Sequence, residues 1–201
     1  MMTREEKKQE TRAKILAAAI HLIAKNGVNG TSIRDITSRA GVAAGTFYLY
    51  FDSKEDVIRC LDRREHKELL AKVKAMEGLT CVQRIYKYFS EWYKIGGKLE
   101  PGFIREWHRL MMSNARDNEA NEMPGGEMEA SHIHELLSDA LEAGELDKNI
   151  PLDDIVRMLV CGLWGSSIYL CVAPNRVSRE KVARDFLEHI IKPSLNPYLT
   201  Q

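Results

Sequence analysis

The chain has 201 residues, 44% of them hydrophobic, enough to bury a substantial core in one large domain or in a small domain followed by a larger one. Its 29 basic and 29 acidic residues cancel, which argues against an indiscriminate polyanion binder. The charge is nonetheless uneven: up to Phe51 eight basic residues stand against four acidic ones, so a head of +4 precedes a remainder of −4. A basic head on an acidic body suits a protein that meets nucleic acid at one end only.

The N-terminus is charged and polar, so no signal peptide is expected, and residues 5–10 are either a solvated lead-in or an extension of the first helix. From Thr11, the spacing of Ile15, Ala19, Leu22 and Ile23 predicts a helix that ends at Asn26-Gly27. Thr31 and Ser32 open the next. Ser32 with Asp35 three residues on is a capping-box variant, Ile33, Ile36 and Ala40 share a face, and Gly41 stands where a left-handed C′ residue is wanted. Ala43, Ala44 and Gly45 then lead into a second short helix, with Phe47 and Phe51 as its inward face. This is the spacing of a helix-turn-helix, whose second helix enters the major groove.

DNA contacts are therefore expected from Thr31, Ser32, Arg34, Ala43, Ala44, Gly45, Thr46, Tyr48, Tyr50 and Lys54. Gly45 holds no side chain against the phosphates, Thr46 offers a hydroxyl, and Tyr48 and Tyr50 offer phenols to phosphate oxygens. The plainer alternatives are that Thr31 and Ser32 are only caps and that the aromatics are only core. Ser53 and Asp56 cap a third helix, where Lys54 is ill placed for the helix dipole unless an anion lies nearby.

That helix runs through Val57, Ile58, Leu61 and Leu69 toward Met76 and links head to body. Gly78 closes it, and Thr80 with Gln83 caps a helix bearing Ile85, Phe89, Trp92 and Tyr93 that ends at Gly96-Gly97. Phe103, Trp107, Leu110 and Met111 mark another helix. Residues 113–129, broken by Pro124-Gly125-Gly126, read as a loop, and Ile133 to Leu141 as a helix stopped by Gly144. Pro151 precedes a strongly apolar helix over Ile155, Leu159, Leu163, Trp164 and Leu170, whose core, residues 158–173, falls short of a membrane span. Ser178 opens the last helix, with Val177 and Val182 as a staple. No strand is predicted. The fold class is all-α, about nine helices: a three-helix helix-turn-helix domain over residues 1–54 and a larger helical ligand-binding and dimerisation domain over residues 55–201.

The head resembles the N-terminal domain of the TetR family of bacterial transcriptional regulators, residue by residue from Asn26 to Glu55, through TSIRDITSRAGVAAGTFYLYFDSKE. Family members often carry Ser and then Lys or Arg where this chain has Ala43 and Ala44, so a charged contact is missing and thymine methyls become the apolar alternative. The resemblance implies a transcriptional regulator, most simply a repressor, with a double-stranded DNA operator of pseudo-palindromic sequence. It also implies an inducer pocket in the body and a homodimer joined by the last two long helices, residues 151–173 and 178–194. Phe89, Trp92, Tyr93, Phe103, Trp107, Met111 and Trp164 are the candidates to line a pocket for a small apolar or aromatic effector. Leu159, Gly162, Leu163, Ser166, Phe186 and Ile190 are the candidates for the dimer interface.

No cofactor and no metal is expected, since His132 and His134 lie two apart on a helix and the four cysteines, Cys60, Cys81, Cys161 and Cys171, have no ligand spacing and read as buried structural thiols. Neither a nucleophile elbow nor a glycine-rich phosphate cradle is present, which counts against an enzyme. A cytoplasmic location without membrane contact is expected. The competing reading is a helical protein-interaction module whose helix-turn-helix never binds DNA.

Overall fold

The computed structural model describes residues 3–114 and 127–200; the side chains of residues 59–67, 111, 113 and 114 lie outside the described set. The described residues form helices and one isolated bridge, Leu146 to Leu199, with no strand. They fall into two compact units, Met1–Arg64 with Leu99–Leu110, and Glu65–Lys98 with Met111–Gln201.

In the first unit, α1 (Arg4–Asn26) begins at a full capping box of Thr3 and Glu6, so residues 5–10 extend the helix. Ile15, Ala18, Ala19 and Ile23 are its buried stripe. The second helix, α2 (Ile33–Ala40), carries the expected box of Ser32 and Asp35 and stops at Gly41, whose φ of 68° and ψ of 34° are left-handed. The third, α3 (Ala44–Phe47), is a single turn ended by further turns through Tyr48 and Tyr50. It is anchored by Phe47 and Phe51, both buried, with ring centroids 5.6 Å apart, and Arg12 lies 5.1 Å over the Phe51 ring.

Joining residues 99–110 to this unit takes a close backbone approach. A Cβ on Gly102 would sit 2.1 Å from the Ala24 carbonyl oxygen, so no larger residue fits without separating the two segments. Glu106 then completes the junction, its carboxylate accepting from the Val28 N–H at 3.1 Å and from Arg109 at 3.0 Å. Burial alone would raise the Glu106 pKa, but these donors outweigh it and hold the carboxyl below its usual range. Nothing local announces this contact, which bridges 78 positions of sequence.

The helix α4 (Lys54–Lys74) contributes to both units. The second unit is built on α5 (Cys81–Gly97), α7 (Glu127–Glu142) and α8 (Leu152–Val172), with α6 (Pro101–Asn114) contributing only its last residues. The Thr80 and Gln83 capping box is present. The tract expected as a loop over 113–129 is helical at both ends, in α6 and α7, and its middle, residues 115–126, lies outside the described residues. After Ser178, which caps α9 (Arg179–Phe186), the chain passes through a π-helical turn, Leu187–Ile191, into α10 (Lys192–Leu195). One helix expected from the sequence is thus divided, so ten α-helices stand among the described residues where about nine were anticipated.

The core of the second unit joins Ile85, Phe89, Ile133, Leu137, Leu159, Leu163, Phe186 and Ile191, and Phe89 stacks on Phe186 at 4.7 Å. Three polar links cross it. Tyr88 bonds His132 Nδ1 at 3.1 Å, Trp92 Nε1 donates to Glu129 at 3.1 Å, and the Tyr93 hydroxyl bonds Ser166, which itself donates to the carbonyls of Gly162 and Leu163. Burial pushes the Tyr93 pKa up to about 12, so the phenol stays a neutral donor.

Candidate nucleic-acid interface

The turn after Gly41 owes its shape to what is buried beneath it. Phe47 and Phe51 point inward, which turns Ala43, Ala44, Gly45 and Tyr48 outward, while Thr46 and Tyr50 are half-buried. A Cβ at Gly45 would meet nothing within 4 Å, and its φ is not positive, so neither space nor backbone conformation inside the protein calls for glycine there. Alanine would make the better helix by about 0.5–1 kcal/mol. Leu49 is exposed beside Tyr48 at 76%, an outward position that no local signal in the sequence marks.

The capping residues divide by exposure. Ser32 is exposed at the start of α2, its hydroxyl accepting from the Asp35 N–H at 3.1 Å, and Arg34 is exposed one turn on. The Ser32 side chain, then its backbone N–H, hold the Asp35 carboxyl below its usual range. Thr31 is different: it is 2% exposed and its hydroxyl donates to the Gly27 carbonyl at 2.8 Å, so it braces the α1–α2 connection and its hydroxyl is not available to phosphate.

Lys54 is also turned to internal use. Its ammonium donates to the carbonyls of Val28 at 2.6 Å and Thr31 at 3.1 Å. These carbonyl oxygens supply the negative partner that a lysine at a helix N-terminus needs. Two of its three donors are therefore spent inside the unit, leaving one for any phosphate.

The body residues are placed less as the sequence suggested. Phe89, Trp92, Tyr93 and Trp164 belong to the second unit, and Phe103 and Trp107 are buried residues of the first. The side chain of Met111 lies outside the described residues. Among the dimer candidates, Leu159, Leu163 and Phe186 are buried in their own protomer's core, and Gly162 makes room for Phe186, whose ring atoms would lie 2.6 Å from a Cβ there. Ser166 is bound to Tyr93, and Ile190 alone of the six is exposed.

The exposed face of α8 is the opposite one: Met158, Cys161, Gly165, Ile168, Tyr169 and Val172. Cys161 thus departs from the expectation of buried thiols, whereas Cys81 and Cys171 are buried and burial raises the Cys81 pKa to about 12. At 21 residues, α8 is long and apolar enough by length and composition to cross a membrane, longer than the 158–173 stretch suggested. A groove of about 510 Å³ runs beside it, lined by Tyr169, Arg176, Val182, Phe186, His189 and Ile190 among others, and by none of the expected effector contacts.

The first unit of this all-α fold carries an outward, glycine-led turn on a buried aromatic pair, the arrangement of a helix-turn-helix. Residues 15–60 match the family described as bacterial regulatory proteins, tetR family. Those residues hold α2 and α3 and carry the likeness to that family's N-terminal domain. The chain is 26% identical over 156 residues to the fatty acid metabolism regulator protein of Bacillus subtilis (strain 168), covering 74% of this chain and 76% of that one. Its fold is that of the regulator in the SmeT–triclosan complex, TM-score 0.69, with 21% identity over 95% of this chain and 92% of that one. The fatty acid degradation regulator FadR from Bacillus halodurans is similar too, TM-score 0.66, with 18% identity over 90% and 94% of the two chains.

Proposed function

We propose that the protein is a ligand-responsive repressor that binds a pseudo-palindromic DNA operator as a homodimer and leaves it when a small apolar or aromatic effector binds the body. The observation that carries the DNA-binding part is Gly45: an exposed position where alanine would fit and would favour the helix, held by the residue with the least bulk. A partner outside the chain that must come within backbone distance accounts for it. Ala43 and Ala44 then offer methyls to thymine, Thr46 a hydroxyl to a base edge, and Ser32, Arg34, Tyr48 and Tyr50 hold the sugar-phosphate backbone.

The effector acts by differential affinity, shifting the population toward protein that cannot hold the operator. The aromatic and polar lining of the second unit, Trp92, Tyr93 and Trp164, is the proposed environment for it. The triclosan complex of one structural neighbour and the fatty acid role named for the Bacillus subtilis relative support a water-insoluble effector and target genes in that metabolism. The protein would work in the cytoplasm, where DNA is.

Selection from random duplex pools tests the central statement. Enrichment of a two-fold-related sequence is expected; recovery of no sequence above background would leave the helix-turn-helix as scaffold in an interaction module. For any effector found, affinity for the free protein must exceed affinity for the operator complex, and equal values would remove it as the inducer.

A further inference from the structure

Phe47 and Phe51 fix which way the turn between them faces. Both are buried, and beyond α3 the backbone keeps winding, with the Leu49 N–H donating to the Thr46 carbonyl at 3.3 Å and the Phe51 N–H to that of Phe47 at 3.1 Å. Leu49 stands two residues from each phenylalanine, about 200° round the axis, so its side chain leaves the protein on the side away from the core. It is 76% exposed. Gly45 precedes it by one turn and Tyr48 by one residue, which sets all three on the outward face.

A single exposed leucine is ordinary. Its neighbours make this one informative: Ala43, Ala44, Gly45 and Leu49 are all exposed, and no side chain among them can donate or accept a hydrogen bond. Tyr48 packs edge-on against Phe47 at 5.6 Å, and Thr46 is half-buried. Arg34 and Arg39, both exposed, lie on α2. Charge for phosphates and apolar bulk for base edges are thus carried by different helices.

In the major groove the base pairs differ in donors, in acceptors and in one apolar group, the C5 methyl of thymine. A leucine can discriminate only through the last. Bare Gly45 one turn earlier lets the backbone come close, and Leu49 is the largest side chain on that face without a polar atom.

We propose that Leu49 is a specificity-determining residue that reads the C5 methyl of one thymine in each operator half-site. This rests on the DNA binding proposed above and adds the reader and the group it reads. A 5-methylcytosine at that step supplies the same methyl, so methylation of a cytosine placed there strengthens binding.

Full-length protein and the duplex recovered by selection test it, by fluorescence anisotropy at one fixed salt concentration. Deoxyuridine replaces each thymine in turn, in both half-sites at once, which removes the methyl and keeps every hydrogen-bonding group. Burying one methyl contributes about fourfold, so substitution at the contacted thymine should weaken binding about fifteenfold across the two half-sites. Leu49→Ala should shrink that ratio to within about twofold at this thymine alone, while Leu49→Met and Ala44→Gly should retain it. Cytosine and 5-methylcytosine at the same step should differ by the wild-type factor with wild-type protein and not with Leu49→Ala. Circular dichroism melts of wild type and Leu49→Ala should coincide; a clear fall would mean that Leu49 packs within the protein and would overturn the proposal.

Uniform tolerance of deoxyuridine in a duplex that still binds overturns the role of Leu49 and leaves DNA binding standing. A sensitive thymine whose ratio survives in Leu49→Ala does the same. Selection that recovers no duplex overturns both.

Discussion

Gly45→Ala separates folding from recognition with opposite signs. The added methyl meets no atom of the protein within 4 Å, and φ is not in the left-handed region, so the folded state accepts it without strain. The unfolded chain loses backbone freedom and the α3 turn gains a better helix former, together about 0.4–1 kcal/mol of added stability. Over a unit of this size that raises the melting temperature by about 2–6 °C. At the DNA the same methyl stands between backbone and duplex. Loss of one close contact of about 1–3 kcal/mol weakens operator binding about tenfold to a hundredfold. Thermal melts followed by circular dichroism and fluorescence anisotropy titration of the selected operator, at one fixed salt concentration, give both quantities. Unchanged operator affinity would refute the claim that Gly45 is bare for the sake of an external partner, and a lower melting temperature would refute the claim that its surroundings are open.

Thr31→Val should lower stability by about 1 kcal/mol through the lost bond to Gly27 and leave operator affinity and its salt slope unchanged, as anisotropy titration over a range of salt would show. Lys54→Met strips the Val28 and Thr31 carbonyls of a charged donor and should cost about 2–3 kcal/mol in urea unfolding; a salt slope smaller by about one would mean that the remaining donor does reach phosphate. Ala44→Lys adds a cation at the exposed turn and should steepen the salt slope of binding by about one. Glu106 has a depressed folded pKa, so its contribution is fully present above the unfolded carboxyl value and fades as pH falls through the lower folded value. Glu106→Gln should therefore flatten the acid limb of the stability profile below about pH 4.5 and leave the slope near neutrality unchanged.

The head was legible because its information is local. A cap and its partner three residues on, a glycine where the chain turns left-handed, and two phenylalanines four apart are short-range instructions, and Ser32, Asp35, Gly41, Phe47 and Phe51 sit as their spacing required. Thr31 and Lys54 show internal bonds that the sequence did not announce, because a hydroxyl or ammonium beside a groove and one bonded to an internal carbonyl have the same sequence. Nothing in the sequence announced that Phe103 and Trp107 would belong to the first unit, where Gly102 approaches the Ala24 backbone.

α8 shows the limit most plainly. It is apolar on nearly every side, so periodicity could establish a helix there but not which side faces inward. Leu159, Leu163 and Phe186 were assigned to an interface that instead left them in the core, and Met158, Tyr169 and Val172 took the outer face. The amino-acid order by itself determined the caps of α2 and α5, the helix-turn-helix and the family likeness of the head, because those depend on neighbours within a turn or two. Only the tertiary structure decided which polar groups are consumed internally and which apolar face stays exposed, because burial is settled by contacts between segments far apart in the chain.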